Sequence, residues 1–142
     1  MEPAHLGVIL DSSVLIEAER QRLDVASFLK YIADQVGDRE AALCAISVAE
    51  LAHGVHRANT AKRRQARRGF LDDLKAAVAI YPISTETAEI VGKIHADSSG
   101  RGITIPFDDL LIGACAVERG YAVATRNLRH FQKIAGLRTI TL

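Results

Sequence analysis

Short apolar, β-branched runs alternate with stretches of helical periodicity along the whole chain, and this alternation restricts the fold more than any other feature. Val8-Ile9-Leu10, Ala42 to Ile46, Ala79 to Ile83 and Tyr121 to Thr125 read as buried strands, with Arg138 to Leu142 as a fifth candidate. Between them the spacing predicts helices. The first runs from Ser12 to Glu19, and a second carries Val25, Phe28, Leu29, Ile32 and Val36 and stops at Gly37-Asp38. Ser47 to Arg57 is helical, Asn59-Thr60 caps a helix reaching about Val78, and Ser84 or Thr85 caps another. Asp97 to Gly102 reads as a polar loop. Phe107 to Arg119 is an almost wholly apolar helix ended by Gly120, and a short helix lies around Asn127 to Ile134. Strands alternating with helices imply an α/β fold: a mainly parallel central sheet of four to five strands with helices on both faces.

The chain has 142 residues, the size of one domain, so residues 1–142 are expected to form a single unit. No internal repeat, low-complexity segment or linker interrupts it. Apolar residues make up 49%, enough for a sizeable core, and with aromatics at 5% that core must be aliphatic. The formal net charge of +1 argues neither for nor against a polyanionic partner, so the local distribution of charge decides. Cys44 and Cys115 lie in apolar runs without metal-ligand spacing and read as reduced core residues of an intracellular protein. The N-terminus lacks the basic and apolar regions of a signal peptide, and no run approaches the ~20 apolar residues of a membrane span. A cytoplasmic protein is the expectation.

Parallel strands direct their carboxyl ends to one edge of a sheet, where open α/β sheets place their ligands. Asp11 ends the first strand, Glu50 lies one turn into the helix after the second, Asp109 one turn beyond Pro106, and Asn127 two residues past the strand ended by Thr125. All belong to the same rim. Three carboxylates gathered in a partly dry cleft repel one another, and a hard divalent cation resolves the repulsion. Mg²⁺ takes oxygen ligands, keeps several waters and bridges to substrate phosphate. Arg126, Arg129, His130 and Lys133 flank the rim and could hold phosphates near such a cation.

Each residue also has a plainer explanation. Asp11 before Ser12-Ser13 is a helix cap, and Ser47-Val48-Ala49-Glu50 fits a capping box. Asp108 and Asp109 suit the dipole of a first helical turn. The basic run Lys62 to Arg68 is a solvated helix face or a contact for nucleic acid or an acidic protein segment. Spacing alone leaves both readings open. Other constellations are weaker. Glu50-x-x-His53 has no second copy for a di-iron site, and there is no Walker loop, dinucleotide fingerprint or His-Glu-x-x-His pair.

The segments Val8-Ile9-Leu10-Asp11-Ser12-Ser13-Val14-Leu15-Ile16, Ile46 to Val55, Asp109-Leu110-Leu111-Ile112-Gly113-Ala114 and Ala122 to Phe131 resemble, in order, the four motifs of PIN-domain nucleases. The likeness covers nearly the whole chain and is strongest to the VapC toxins of toxin–antitoxin pairs. It implies a PIN-like fold and a Mg²⁺- or Mn²⁺-dependent endoribonuclease that hydrolyses RNA phosphodiester bonds. By the same resemblance, Asp11, Glu50 and Asp109 fall on metal-binding acidic positions. Asn127 falls on the fourth polar position with Thr125 beside it, and Ser13 hydrogen-bonds within the site. An amide at Asn127 makes the site less negative than in relatives with Asp there, and suits orienting water or an acidic neighbour. The spacing to Leu111-Ile112 favours Asp109 over Asp108, which reads as a cap. Arg126 and Arg129 would meet the RNA backbone. The resemblance also implies a homodimer and a VapB-type antitoxin whose tail covers the acidic groove. Rival expectations are a metal-dependent DNase or phosphatase on the same rim, and a non-catalytic RNA-binding regulator.

Overall fold

The computed structural model describes residues 6–142. The N-terminal segment on which the absence of a signal peptide was read lies largely outside them. The elements run β1 (Gly7–Leu10), α1 (Ser12–Arg20), α2 (Val25–Val36), β2 (Glu40–Cys44), α3 (Ala45–Arg57), α4 (Ala61–Ala77), β3 (Ala79–Tyr81), α5 (Thr85–Gly100), α6 (Phe107–Arg119), β4 (Ala122–Thr125), α7 (Leu128–Phe131) and β5 (Thr139–Thr141). The strands form one sheet in the order β3-β2-β1-β4-β5, and every pairing is parallel. Val8 and Leu10 of β1 face a core built with α1 to α4, whereas Ile9 between them faces a second core built with α5 to α7. Both faces are covered, which is why the strands read as continuous apolar runs without alternation. The α/β fold with helices on both faces is as the sequence implies.

Local chemistry sets most of the boundaries. Gly37, at φ +80°, ends α2, and Gly120 ends α6 in the left-handed conformation. Thr60 caps α4 by accepting the Arg63 N–H, and Ser84 caps α5 in a reciprocal box with Thr87. Several boundaries differ from the sequence reading, α7 among them, which ends at Phe131, and three have a clear physical consequence or cause. The apolar run Ala42 to Ile46 is divided: β2 stops at Cys44 and α3 starts at Ala45, two residues before Ser47. The segment read as a polar loop from Asp97 is still helix as far as Gly100, with Arg101 reaching back one turn to Asp97 at 2.9 Å. Strand β3 ends before Pro82, which has no N–H for the ladder.

Helix α6 is buried without interruption from Asp109 to Ala116. It fits because Gly113 lets the chain after α7 come close: a Cβ there would lie 2.6 Å from Ile134 Cδ1. Gly7 has the same role in the sheet, where a Cβ would meet the Glu40 carbonyl oxygen at 2.7 Å and the Tyr121 ring at 2.8 Å. Cys44 and Cys115 are buried free thiols, and Cys44 Sγ lies 3.9 Å from the Leu111 carbonyl oxygen. Among the described residues no helix is long and apolar enough to cross a membrane.

Candidate active site

The strand order reverses direction at β1 and β4: β2 and β3 lie outward on one side, β5 on the other. At such a switch point the loops leaving neighbouring strands diverge and open a crevice at the carboxyl edge. Asp11 and Thr125 are the residues at that edge. The ladder carries on one step past the strands, with Asp11 N–H donating to the Ala124 carbonyl at 3.0 Å, which sets Asp11 beside Thr125. Thr125 Oγ1 donates to Asp11 Oδ2 at 2.9 Å, and Ser13 Oγ donates to the same oxygen at 2.7 Å. Asp11 is the N-cap residue of α1 by position, yet its side chain makes no capping bond. Its carboxylate is turned into the crevice and buried, and the cap explanation gives way.

The hydroxyls are themselves held. Thr125 Oγ1 accepts the Asn127 N–H at 2.8 Å, and Ser13 Oγ accepts the Arg126 N–H at 3.2 Å. Both proposed supporting residues thus tie β4 and the turn after it to Asp11. Asn127 contributes through its backbone; its side chain is exposed and makes no hydrogen bond among the described residues.

Glu50 comes from the second turn of α3. Because that helix begins at Ala45, Ser47 is already inside it, and the capping box read from the sequence does not form. The partner of Glu50 is instead Ser12, whose hydroxyl donates to Oε1 at 2.7 Å and lies 3.3 Å from the buried Ser47 hydroxyl. Burial raises the Glu50 carboxyl above its ordinary range; the Ser12 hydrogen bond opposes this, and the negative charges of Asp108, Asp11 and Asp109 add to it. Asp109 is 7% exposed and faces inward, with Oδ2 2.8 Å from His130 Nδ1. Its carboxyl is pushed up to about 6 by burial first, then by Asp108 and Asp11, against the influence of His130. Asp108 is half-buried in the first turn of α6, where Pro106 holds the N-cap position, and its Oδ1 accepts the Asp109 N–H. Mutual electrostatic influence thus links Asp11, Glu50, Asp108 and Asp109 into one acidic group.

Four contributors escaped the reading of spacing: Ser12 was given no role of its own, Ser47 and Asp108 were taken as caps, and His130 as one of several basic residues flanking the rim. The signal for Ser12 was present in the tandem hydroxyls after Asp11, one of which serves Asp11 and the other Glu50. Around the rim, Arg126 is exposed and lies 3.7 Å from Glu17, while Arg129 on α7 is exposed with no ion pair among the described residues. The basic run of α4 is partly engaged within the fold, Arg67 and Arg64 by reaching neighbouring segments and Arg68 by pairing along its own helix. Arg67 donates to the Gly54 carbonyl on α3 at 2.7 Å and pairs with Glu19 on α1 at 3.1 Å, Arg64 reaches the Ala58 carbonyl, and Arg68 pairs with Asp72.

A cation at this rim has suitable donors. They are oxygens, and Oδ1 of Asp11 takes no hydrogen bond among the described residues. Among those residues no group of three or more Asp, Glu, His or Cys side chains is gathered closely enough to hold a metal ion by itself. An open acidic rim is the arrangement suited to Mg²⁺, which uses one or two carboxylates together with water and substrate phosphate. A cleft of about 370 Å³ between α1 and α2, lined by Val14, Phe28, Tyr31 and Arg126, adjoins the Arg126 side of this rim.

The sequence pattern of the PIN domain matches residues 8–137. The chain belongs to the PIN domain family. It is 30% identical over 137 residues to Ribonuclease VapC1 of Rickettsia felis, covering 96% of this chain and 97% of that one. Over 98 residues it is 31% identical to the tRNA(fMet)-specific endonuclease VapC of Salmonella typhimurium, covering 68% and 70%. The fold is similar to that in the crystal structure of VapBC2 from Rickettsia felis bound to a DNA fragment from their promoter, with a TM-score of 0.82 at 21% identity over 95% of this chain and 98% of that one. The matched span includes Asp11 just after β1, Glu50 on α3 and Asp109 at the start of α6.

Proposed function

We propose that this PIN domain, spanning the chain as a single unit, is a metal-dependent endoribonuclease and the toxin of a toxin–antitoxin pair. The observation that carries the reading is the placement of Asp11, Glu50 and Asp109 at the β1–β4 switch point, where Glu50 and Asp109 are each raised by burial first and then by the charges of other acidic residues. Carboxyl groups raised in this way in a cleft are a mark of functional sites, and a cation would offset their repulsion. The similarity to relatives named as ribonucleases supports RNA as the substrate.

Asp11 and Asp109 would hold the cation, Mg²⁺ or Mn²⁺, with Glu50 binding it through water. Such an ion supplies a water of lowered pKa and neutralises charge on a phosphodiester as it reacts. Ser13 and Thr125 fix one oxygen of Asp11 and leave the other for this role. Ser12 fixes Glu50 in the same way, so that its free oxygen can orient the attacking water. His130 positions Asp109, and Asn127 extends a neutral amide toward solvent at the edge of the site. Arg126 and Arg129 would hold the RNA backbone. The partner is a VapB-type antitoxin, an arginine of which would pair with the acidic rim. The toxin would act as a homodimer in the cytoplasm.

The direct test is incubation of the pure protein with labelled RNA and, separately, labelled DNA, in Mg²⁺, Mn²⁺ or EDTA. RNA cleavage with either ion and none in EDTA is expected. Cleavage that survives EDTA would remove the metal from the mechanism. Cleavage of DNA alone would make the chain a different nuclease.

A further inference from the structure

Three of the four phenylalanines, Phe28, Phe70 and Phe131, are buried, at 1%, 9% and 0% exposure; Phe107 is 66% exposed. It is the first residue of α6, one turn before the buried Leu110 and Leu111, so its ring extends past the end of the core. Helix α6 runs antiparallel to the strand that follows it, and its N-terminus therefore lies at the carboxyl edge of the sheet, where Asp109 stands two residues further on. The ring is held by ordered chain and not by a loose tip. Ile105 is buried just before it, Pro106 fixes the entry to the helix, and the Pro106 carbonyl accepts the Leu110 N–H at 3.0 Å.

An exposed aromatic ring on the same sheet edge as an acidic group suits one kind of ligand contact well. RNA approaching this rim meets carboxylates that repel its phosphates. A ring can hold a base by stacking without altering the charge of the site, and every base offers a face for it. We propose that Phe107 is a substrate-positioning residue whose ring stacks on an unpaired nucleobase of the RNA next to the scissile phosphate. The proposal rests on the ribonuclease reading above. It assigns the substrate an unpaired stretch at the cut, because a base within a duplex has no free face.

The chain has no tryptophan, so Phe107→Trp places a single fluorophore at this position. In an Asp109→Asn background, which prevents cutting, the variant is titrated with bulk transfer RNA and with a mixed-sequence single-stranded oligoribonucleotide, while filter binding measures retained RNA. Quenching of the tryptophan in step with retention is expected. Phe107→Ala is expected to weaken binding about tenfold, and Phe107→Leu to restore little of it, since leucine replaces the apolar surface but not the ring. In the active protein the loss should appear in KM or kcat/KM for unpaired substrates, with no change in melting temperature. RNA retained without quenching, or equal binding by Phe107→Leu and wild type, overturns the stacking role alone. If neither RNA is retained, the ribonuclease reading fails and takes the inference with it. A tryptophan signal that shifts with protein concentration before RNA is added would mean that a second copy covers the ring, and would also overturn the proposal.

Discussion

At the level of single residues, one oxygen of each of the three carboxylates has a partner within the fold. Hydroxyls of Ser13 and Thr125 occupy Asp11 Oδ2, Ser12 occupies Glu50 Oε1, and His130 lies against Asp109 Oδ2. Charge, more than shape, distinguishes the acids from amides here. Glu50→Gln keeps the Ser12 hydrogen bond and the packing, so it is expected to fold normally and lose about 10²-fold or more of RNA cleavage; circular dichroism with a cleavage assay checks both halves. Asp109→Asn is expected to damage activity far more than Asp108→Asn, because Asp109 is the inward-facing member of the pair. The reverse order would move the metal ligand to Asp108. The acidic residues and the order of their motifs were legible in the sequence. Their partners were not, because Ser12 and Glu50 are 38 residues apart and Asp11 and Thr125 are 114 apart. No spacing rule spans such gaps; only the strand order brings them together.

Among the elements, those ended by a residue with a unique backbone preference were read closely. Gly37 and Gly120 stop their helices, and Pro106 starts one, where the sequence places them. The β2–α3 junction was misread because Ala42 to Ile46 is a continuous apolar run, in which neither period is visible. That error mattered: it made Ser47 a cap and Glu50 its capping-box partner, when the helix had already begun. Two glycines separate packing from propensity. Gly7→Ala puts a methyl against backbone and ring and is expected to cost about 1–3 kcal/mol. Gly54→Ala, in a helix with nothing within 4 Å of the added carbon, is expected to stabilise by about 0.5–1 kcal/mol. Urea unfolding of both variants checks the pair, and a destabilised Gly54→Ala would contradict the open surface seen there.

For the whole molecule, the acidic rim trades stability for a ready site. The Asp109 carboxyl has an ordinary value of 3.8 and is pushed up to about 6 in the fold, by burial first. Between these values the folded chain keeps a proton that the unfolded chain has lost, so stability falls as pH rises through this window and the penalty is complete above it. Asp109→Asn removes the charge, and is expected to melt higher than wild type at about pH 7 in EDTA and to lose that advantage by about pH 4. An equal shift at both pH values would assign the effect to packing. A cation acts in the opposite sense on the wild type: Mg²⁺ should raise its melting temperature and leave an Asp11→Asn, Asp109→Asn double variant unmoved.

The hydrogen bond from Thr125 to Asp11 also bears on the order in which the protein is made. Its two halves come from the start and the far end of the chain, and β4 must slot in beside β1 before the first carboxylate is oriented. A chain still being translated would hold Asp11 and Glu50 but no Thr125, no Asp109 pairing with His130, and no completed crevice. On the proposed ribonuclease reading, the strand order alone delays assembly of the acidic rim until β4 and the turn after it have been made.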